Sequence, residues 1–207
     1  MRDRRRDPYH RLARAEGFRA RSAYKLAELD RRFGLLGRGD YVVELGAAPG
    51  GWLQIVLERV GPQGRAVGVD LTPITPLPAP NLYLLEADVR EAATAQAILD
   101  HLGRHADVVL SDLAPKLTGV RARDETRSAA LVETTLDLLP TLLRPGGRLL
   151  TKVFMGTDYE ALLARLRRNF TEVKTTRAAA TRPGSAELYA ACIGHRYETG
   201  GSRKPSR

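Results

Sequence analysis

Seven short apolar runs, most of them separated by stretches with helical patterning, constrain this chain more than any other feature. The runs lie at 41–45, 66–70, 82–87, 107–112, 148–154, 171–175 and 187–194. Helices are expected at 50–60, 91–102, 126–143 and 157–168, with a further one at 22–33 ahead of the first run. Strand and helix in alternation let helices cover both faces of the strands, which is the pattern of a parallel sheet. The last two runs depart from it. They are joined through "RAAATRPGSA", which carries no helical pattern and is short for a parallel crossover, so they are expected to close the sheet edge as an antiparallel hairpin. The expected fold is α/β, with seven strands, mostly parallel, the last one antiparallel, and helices on both faces.

A chain of 207 residues with 43% hydrophobic content buries such a sheet within one domain. Its apolar runs fall well short of the ~20 residues that span a bilayer, and the basic start "MRDRRRDPYH" has no apolar core behind it. No membrane partner is expected, and the location is expected to be cytoplasmic. The single cysteine, Cys192, lies in the apolar run "LYAACIG", which excludes an intramolecular disulfide and a multi-cysteine metal site. The formal charge of +9 is gathered at the ends. Residues 1–38 carry 12 Lys/Arg against 5 Asp/Glu, residues 196–207 carry 4 against 1, and the stretch between is nearly neutral. Residues 1–21 read as a basic arm, 22–195 as the folded domain and 196–207 as a basic flexible tail. Segregated cations are the footprint of a polyanion partner. Near the arm the arginines are interleaved with Tyr9, His10, Phe18 and Tyr24, which stack on bases and favour nucleic acid over a merely solubilising terminus. The Gly, Ser and Pro of the tail favour a solvated end.

In an open parallel sheet, ligands sit beyond the carboxyl ends of the strands, where the strand order reverses. The first strand ends there in "VVELGAAPGGW" (42–52). Gly46, Gly50 and Gly51 let backbone approach a ligand, and Pro49 suits a first helical position. The spacing does not give G-x-G-x-x-G, and no G-K-[ST] follows, which disfavours a nicotinamide dinucleotide and a nucleoside triphosphate. The second strand ends in Asp70, 24 residues after Gly46, placed to accept ribose hydroxyls. The third runs into Asp88, placed to accept from an adenine amino group. Turn, ribose acid and adenine acid together outline an adenosine without phosphates, and S-adenosylmethionine is the common cofactor of that description.

These motifs extend into a family pattern. The chain resembles the FtsJ-like ribose 2′-O-methyltransferases, which act on large-subunit ribosomal RNA in bacteria. The likeness runs through "RARSAYKL" (19–26), "LGAAPGGW" (45–52), "VDLTP" (69–73), "SDLAP" (111–115), "PGGRLLTKVFMG" (145–156) and "GSAELYAACIG" (184–194). The motifs occur in the family's order and span all but the extreme ends. The resemblance implies a Rossmann-like, S-adenosylmethionine-dependent methyltransferase. Its substrate would be a uridine ribose of 23S ribosomal RNA in the large subunit, with transfer RNA as the alternative and no obligate protein partner. It implies cofactor contacts at Gly50, Trp52, Asp70, Asp88 and Asp112, beside Gly46 and Gly51 of the same turn. It implies a catalytic set of Lys25, Asp112, Lys152 and Glu187, with Lys152 as proton acceptor.

The chemistry accounts for these residue types. A methyl sulfonium is already electrophilic, so the protein has to align an in-line attack and take a proton from a poorly acidic ribose hydroxyl, and no metal is required. A lysine serves as base where burial beside a second cation favours its neutral form, and Lys152 in the apolar run "LLTKVF" with Lys25 nearby meets that description. Asp112 would hold Lys152 and the sulfonium region in place, and Glu187 would orient a lysine or accept from the ribose. Base-amine methyltransferases carry an Asn/Asp-Pro-Pro-aromatic turn after the fourth strand, which "SDLAP" lacks. A binding module that keeps only the cofactor fold is disfavoured because Lys152 and Asp112 are both present. Two positions depart from the family. Glu44 stands where Asp is common, and Lys116 replaces a common Asn; Lys116 with 119–127 forms either a phosphate-contacting loop or a solvated charged one.

Overall fold

The computed structural model describes residues 8–115, 118–119, 121–182 and 184–196. The strands are β1 (Tyr41–Leu45), β2 (Arg65–Asp70), β3 (Leu82–Glu86), β4 (Ala106–Ser111), β5 (Leu143–Phe154), β6 (Phe170–Thr176) and β7 (Glu187–His195). The helices are α1 (Pro8–Ala15), α2 (Ser22–Phe33), α3 (Gly51–Val60), α4 (Ala92–Leu102), α5 (Arg121–Leu142) and α6 (Tyr159–Asn169). The strands form one sheet in the order β3-β2-β1-β4-β5-β7-β6. The first five pair in parallel, and β7 runs antiparallel to both its neighbours. From β1 the chain builds outward through β2 and β3, then returns to lay β4 and β5 on the other side. The order therefore reverses between β1 and β4, and the site lies beyond their carboxyl ends.

Period-two alternation sorts the strand side chains into two cores. Val43, Leu45, Val109 and Leu149 pack with Ile98 of α4, Leu136 of α5 and Leu166 of α6. Val42, Leu110, Leu150 and Tyr189 pack on the opposite face with Leu26 and Leu29 of α2 and Ile55 and Val56 of α3. Both faces are thus covered.

The structure refines the expectations at several places, β5 among them, which begins at Leu143 ahead of the expected 148. The closing hairpin lies at the sheet edge, but its second strand turns inward and β6 forms the edge. The reason is apolarity: Tyr189, Ala190, Ala191 and Cys192 are all buried, whereas Thr171, Glu172, Lys174 and Thr175 are exposed. Helix α5 begins at Arg121, ahead of the expected 126. The turn before it is fixed by Asp124, whose carboxylate accepts from Thr118 N and Oγ1, both at 2.8 Å, and from Gly119 N at 3.1 Å. Pro49 precedes α3 and is not its first residue, because Gly50 is the N-cap.

Part of the basic N-terminal stretch is ordered against the domain. Pro8–Ala15 forms α1 with Ala13 buried. Arg19 N donates to Gln54 Oε1 at 2.8 Å, and Gln54 Nε2 donates to the Gly17 carbonyl at 3.0 Å. The Arg19 guanidinium donates to the carbonyls of Pro49 at 3.3 Å, Pro76 at 2.7 Å and Thr75. Residues 1–7, Lys116 and the tail beyond 196 lie outside the described residues. Among the described residues no helix is long and apolar enough to cross a membrane.

Candidate active site

Strand register assembles the site. Leu45 pairs with Val69 and Ser111, and Ser111 with Thr151. One residue further along each strand, Asp70, Gly46, Asp112 and Lys152 therefore stand in a row at the carboxyl edge. They line a cavity of about 900 Å³ together with Asp88, Arg90 and Arg127. Gly46 is required at this point. Its φ is +81°, and a Cβ there would stand 3.0 Å from Leu113 N and 3.2 Å from the Asp112 carbonyl carbon. A side chain would push the glycine turn off the β4 loop and break the cavity floor.

The two acids expected to grip an adenosine occupy that cavity's wall. Asp70 is held by two backbone donors, Ala48 N at 2.9 Å on Oδ2 and Thr72 N at 2.8 Å on Oδ1. Each oxygen keeps a lone pair for a ribose hydroxyl. Asp88 accepts the Arg90 guanidinium in bidentate fashion, from Nε at 2.9 and 3.1 Å and from Nη2 at 2.5 Å. Together with Arg90 N at 2.9 Å on Oδ1, these bonds pull its carboxyl down to about 2. The Arg90 side chain is two-thirds exposed, so the pair is screened by solvent and free to open.

Next to this wall the four expected catalytic residues converge from α2, β5, β7 and the β4 loop. Lys152 Nζ donates to the Asp112 carbonyl at 2.8 Å and to Asp112 Oδ1 at 3.0 Å. Lys25 Nζ donates to Glu187 Oε1, which also accepts from Thr181 Oγ1 at 3.4 Å. Both lysines are buried. A fifth residue joins the two pairs. The Tyr189 hydroxyl donates to Asp112 Oδ1 at 3.0 Å and accepts from Lys25 Nζ at 3.4 Å. Burial, then the negative charges of Asp112 and Glu187, raise the tyrosine well above its ordinary pKa, so it stays a neutral donor. Sequence reasoning missed Tyr189 because an aromatic in an apolar strand reads as core. Its spacing of two from Glu187, which puts both on one sheet face, was the available signal.

Three expected cofactor contacts fall away from the cavity. Trp52 is buried beneath the site, its indole N–H donated to the Ser22 carbonyl at 2.8 Å and its ring 5.8 Å from Tyr189. Gly50 and Gly51 lie in close packing contacts. A Cβ on Gly50 would stand 3.1 Å from Arg19 Nη1, and one on Gly51 3.1 Å from the Ala20 Cβ. These two glycines let the segment before α2 seat against the start of α3, while Gly46, of the three, shapes the cavity. A second cavity of about 560 Å³ opens beyond the end of β5 and is lined by Phe154, Met155, Arg177 and Ser185. Phe154 pairs with Glu187 in register, so this space adjoins the Lys25–Glu187 pair on the side away from Asp70.

The chain is similar to known proteins in sequence and in fold. The sequence pattern described as FtsJ-like methyltransferase matches residues 18–195. The ribosomal RNA large subunit methyltransferase E of Methanothermobacter thermautotrophicus is 42% identical over 187 residues, which cover 90% of this chain and 89% of the relative. The protein of the same name from Acidiphilium cryptum is 44% identical over 190 residues, covering 92% and 83%. A crystal structure of a Plasmodium falciparum protein assigned to the ribosomal RNA methyltransferases superposes with a TM-score of 0.77 at 26% identity, covering 86% of this chain and 98% of that one.

Proposed function

The chain belongs to the FtsJ-like methyltransferase family, and on that premise we propose that it transfers the methyl group of S-adenosylmethionine to a ribose 2′-hydroxyl of large-subunit ribosomal RNA. A uridine of 23S RNA is the assigned target, and a cytoplasmic place of action goes with it. The observation that carries the reading is Lys152. Its Nζ is buried and fixed by two Asp112 acceptors at the edge of a cavity whose other wall holds Asp70 and Asp88.

The residues present fit the cofactor. The cavity lies at the reversal of strand order, Gly46 leaves a cradle that a Cβ would fill, and two carboxylates stand at successive strand ends. Asp70 binds the ribose hydroxyls and Asp88 the adenine amine, with Arg90 swinging off to admit it. The bound cofactor supplies a methyl group activated by a sulfonium. Everything else falls to side chains. The substrate ribose enters from the side of Phe154 and Met155, where Arg177 contacts the backbone phosphate. Lys152 takes the 2′-hydroxyl proton. Asp112, itself held by Tyr189, keeps Nζ against the 2′-hydroxyl, and the Lys25–Glu187 pair anchors the ribose from the opposite side.

Lys152→Ala is expected to abolish most methyl transfer while cofactor and RNA binding change little, the pattern of an interaction made chiefly in the transition state. Lys152→Arg does not rescue it, since a guanidinium keeps its proton at working pH. Single-turnover methylation at saturating cofactor and RNA decides this, and near-normal turnover in the Arg variant excludes Lys152 as the base. Mass spectrometry of nucleosides from the methylated RNA separates ribose from base products, and fragment mapping separates ribosomal from transfer RNA.

A further inference from the structure

Glu44 has no task in this scheme, yet it is the most unusual side chain near it. It lies on β1 two residues before Gly46, is 2% exposed, and its Oε2 has no hydrogen-bond partner among the described residues. In register it pairs with Gly68 of β2 and Leu110 of β4, and Leu110 pairs with Leu150 of β5. Two residues further along those strands, on the same sheet face, stand Asp70, Asp112 and Lys152. Directly beyond Glu44 on its own strand is Gly46, which brings no side chain between the carboxyl and the cavity floor.

The charges around it are unbalanced. Asp70 faces it from β2 and Asp112 from the β4 loop, with Lys152 on β5 already bonded to Asp112. On the α2 side, Lys25 is paired with Glu187 of β7. Further along the wall are Asp88 with Arg90, and Arg127 of α5, and among the described residues no histidine lines the cavity. Burial first, then the charges of Asp112 and Asp70, raise the pKa of the Glu44 carboxyl well above the ordinary carboxylate range. A cation arriving in the cavity reverses that balance.

We propose that Glu44 makes the cofactor site selective for positive charge: it is a neutral acid in the ligand-free chain, loses its proton to solvent when a sulfonium occupies the cavity, and regains one when the sulfur becomes neutral. The O–H bond of the carboxyl breaks, the proton goes to water, and nothing is oxidised or reduced. The anion so formed attracts S-adenosylmethionine and is absent for S-adenosylhomocysteine, so the spent product is held less tightly than the donor. The inference rests on the cavity being the cofactor site.

Calorimetry in buffers of different ionisation enthalpy counts the protons released on binding. S-adenosylhomocysteine has the same adenosine, amine and carboxylate as S-adenosylmethionine, so the difference between their proton counts isolates the sulfonium. The wild-type chain is expected to release more protons with S-adenosylmethionine. Glu44→Gln is expected to equalise the two counts and to lower the preference for S-adenosylmethionine by about tenfold, because proton and ligand coupling are reciprocal. Infrared difference spectra of the wild-type chain need no variant: the carbonyl band of a protonated carboxyl should vanish with S-adenosylmethionine and persist with S-adenosylhomocysteine. Equal counts in the wild-type chain, an unchanged excess in Glu44→Gln, or a band that ignores the ligand overturns the proposal and leaves the cofactor site intact. Unweakened S-adenosylmethionine binding by Asp70→Ala overturns the site itself, and the proposal with it.

Discussion

At the scale of single residues, buried polar groups decide what the site can do, and they make predictions of opposite sign. Tyr189 is fully buried and its hydroxyl spans Asp112 and Lys25. Tyr189→Phe removes both bonds while keeping the ring against Trp52. Methyl transfer is expected to fall at least tenfold, the low end of the roughly 1.5–3 kcal/mol of a hydrogen bond to a charged group, with cofactor affinity nearly unchanged. Separate kcat and KM measurements check it, and a change confined to the KM for cofactor would show that Tyr189 does not position Asp112. Glu44 runs the other way. Its folded pKa is raised, so the stability it contributes is fully present below the ordinary carboxyl range and is lost as pH rises. Ligand-free Glu44→Gln should therefore be more stable than the wild-type chain at pH 8, with the gap closing towards pH 4.5; urea unfolding across that range tests it. The convergence of Lys25, Asp112, Lys152 and Glu187 was legible in the sequence because a family pattern marks each of them. Trp52, Gly50 and Gly51 were marked too, and their burial and close packing were not legible, because a motif records that a residue type is needed and not what it packs against.

At the scale of elements, alternation alone placed all seven strands and five of the helices, since a central strand buries two faces and a covering helix one. What it left open was order within the closing hairpin. That was decided by which strand has two apolar faces, a comparison of β6 and β7 that period counting along either one does not make. The hairpin also carries a pH-sensitive joint. His195, at the end of β7, is buried with its ring 5.3 Å from Phe170 and Nδ1 3.4 Å from the Arg144 carbonyl. Burial lowers its pKa against the opposing pull of that carbonyl. A depressed histidine stabilises the fold above its unfolded value of about 6.5, and this contribution is lost as pH falls through the folded value. The wild-type chain should lose stability below about pH 6.5, and His195→Gln should flatten that slope; equal slopes in thermal melts would locate the titrating group elsewhere.

At the scale of the whole molecule, the stretch 39–195 is nearly neutral and the cations are carried at the chain's ends, the distribution expected if RNA is held apart from the chemistry. The ordered part of the N-terminal stretch divides that role. Arg11 and Arg14 on α1 are exposed, whereas Arg19 is committed to carbonyls of the glycine turn and of the segment after β2. The two kinds of arginine should therefore fail differently. Replacing Arg11 and Arg14 by Gln should weaken RNA binding and reduce its log–log salt slope by about 0.7–0.9 for each phosphate that is no longer neutralised, with cofactor affinity untouched. Replacing Arg19 by Ala should weaken cofactor binding first, because the turn that carries Gly46 and the Ala48 donor to Asp70 loses its tie to Pro76. Filter binding across a salt series and calorimetry with S-adenosylmethionine on the same two variants measure both quantities. A salt slope unchanged by the double variant would put the RNA track on the domain surface, and equal cofactor affinity in the Arg19 variant would show that the arm and the cofactor turn are mechanically independent.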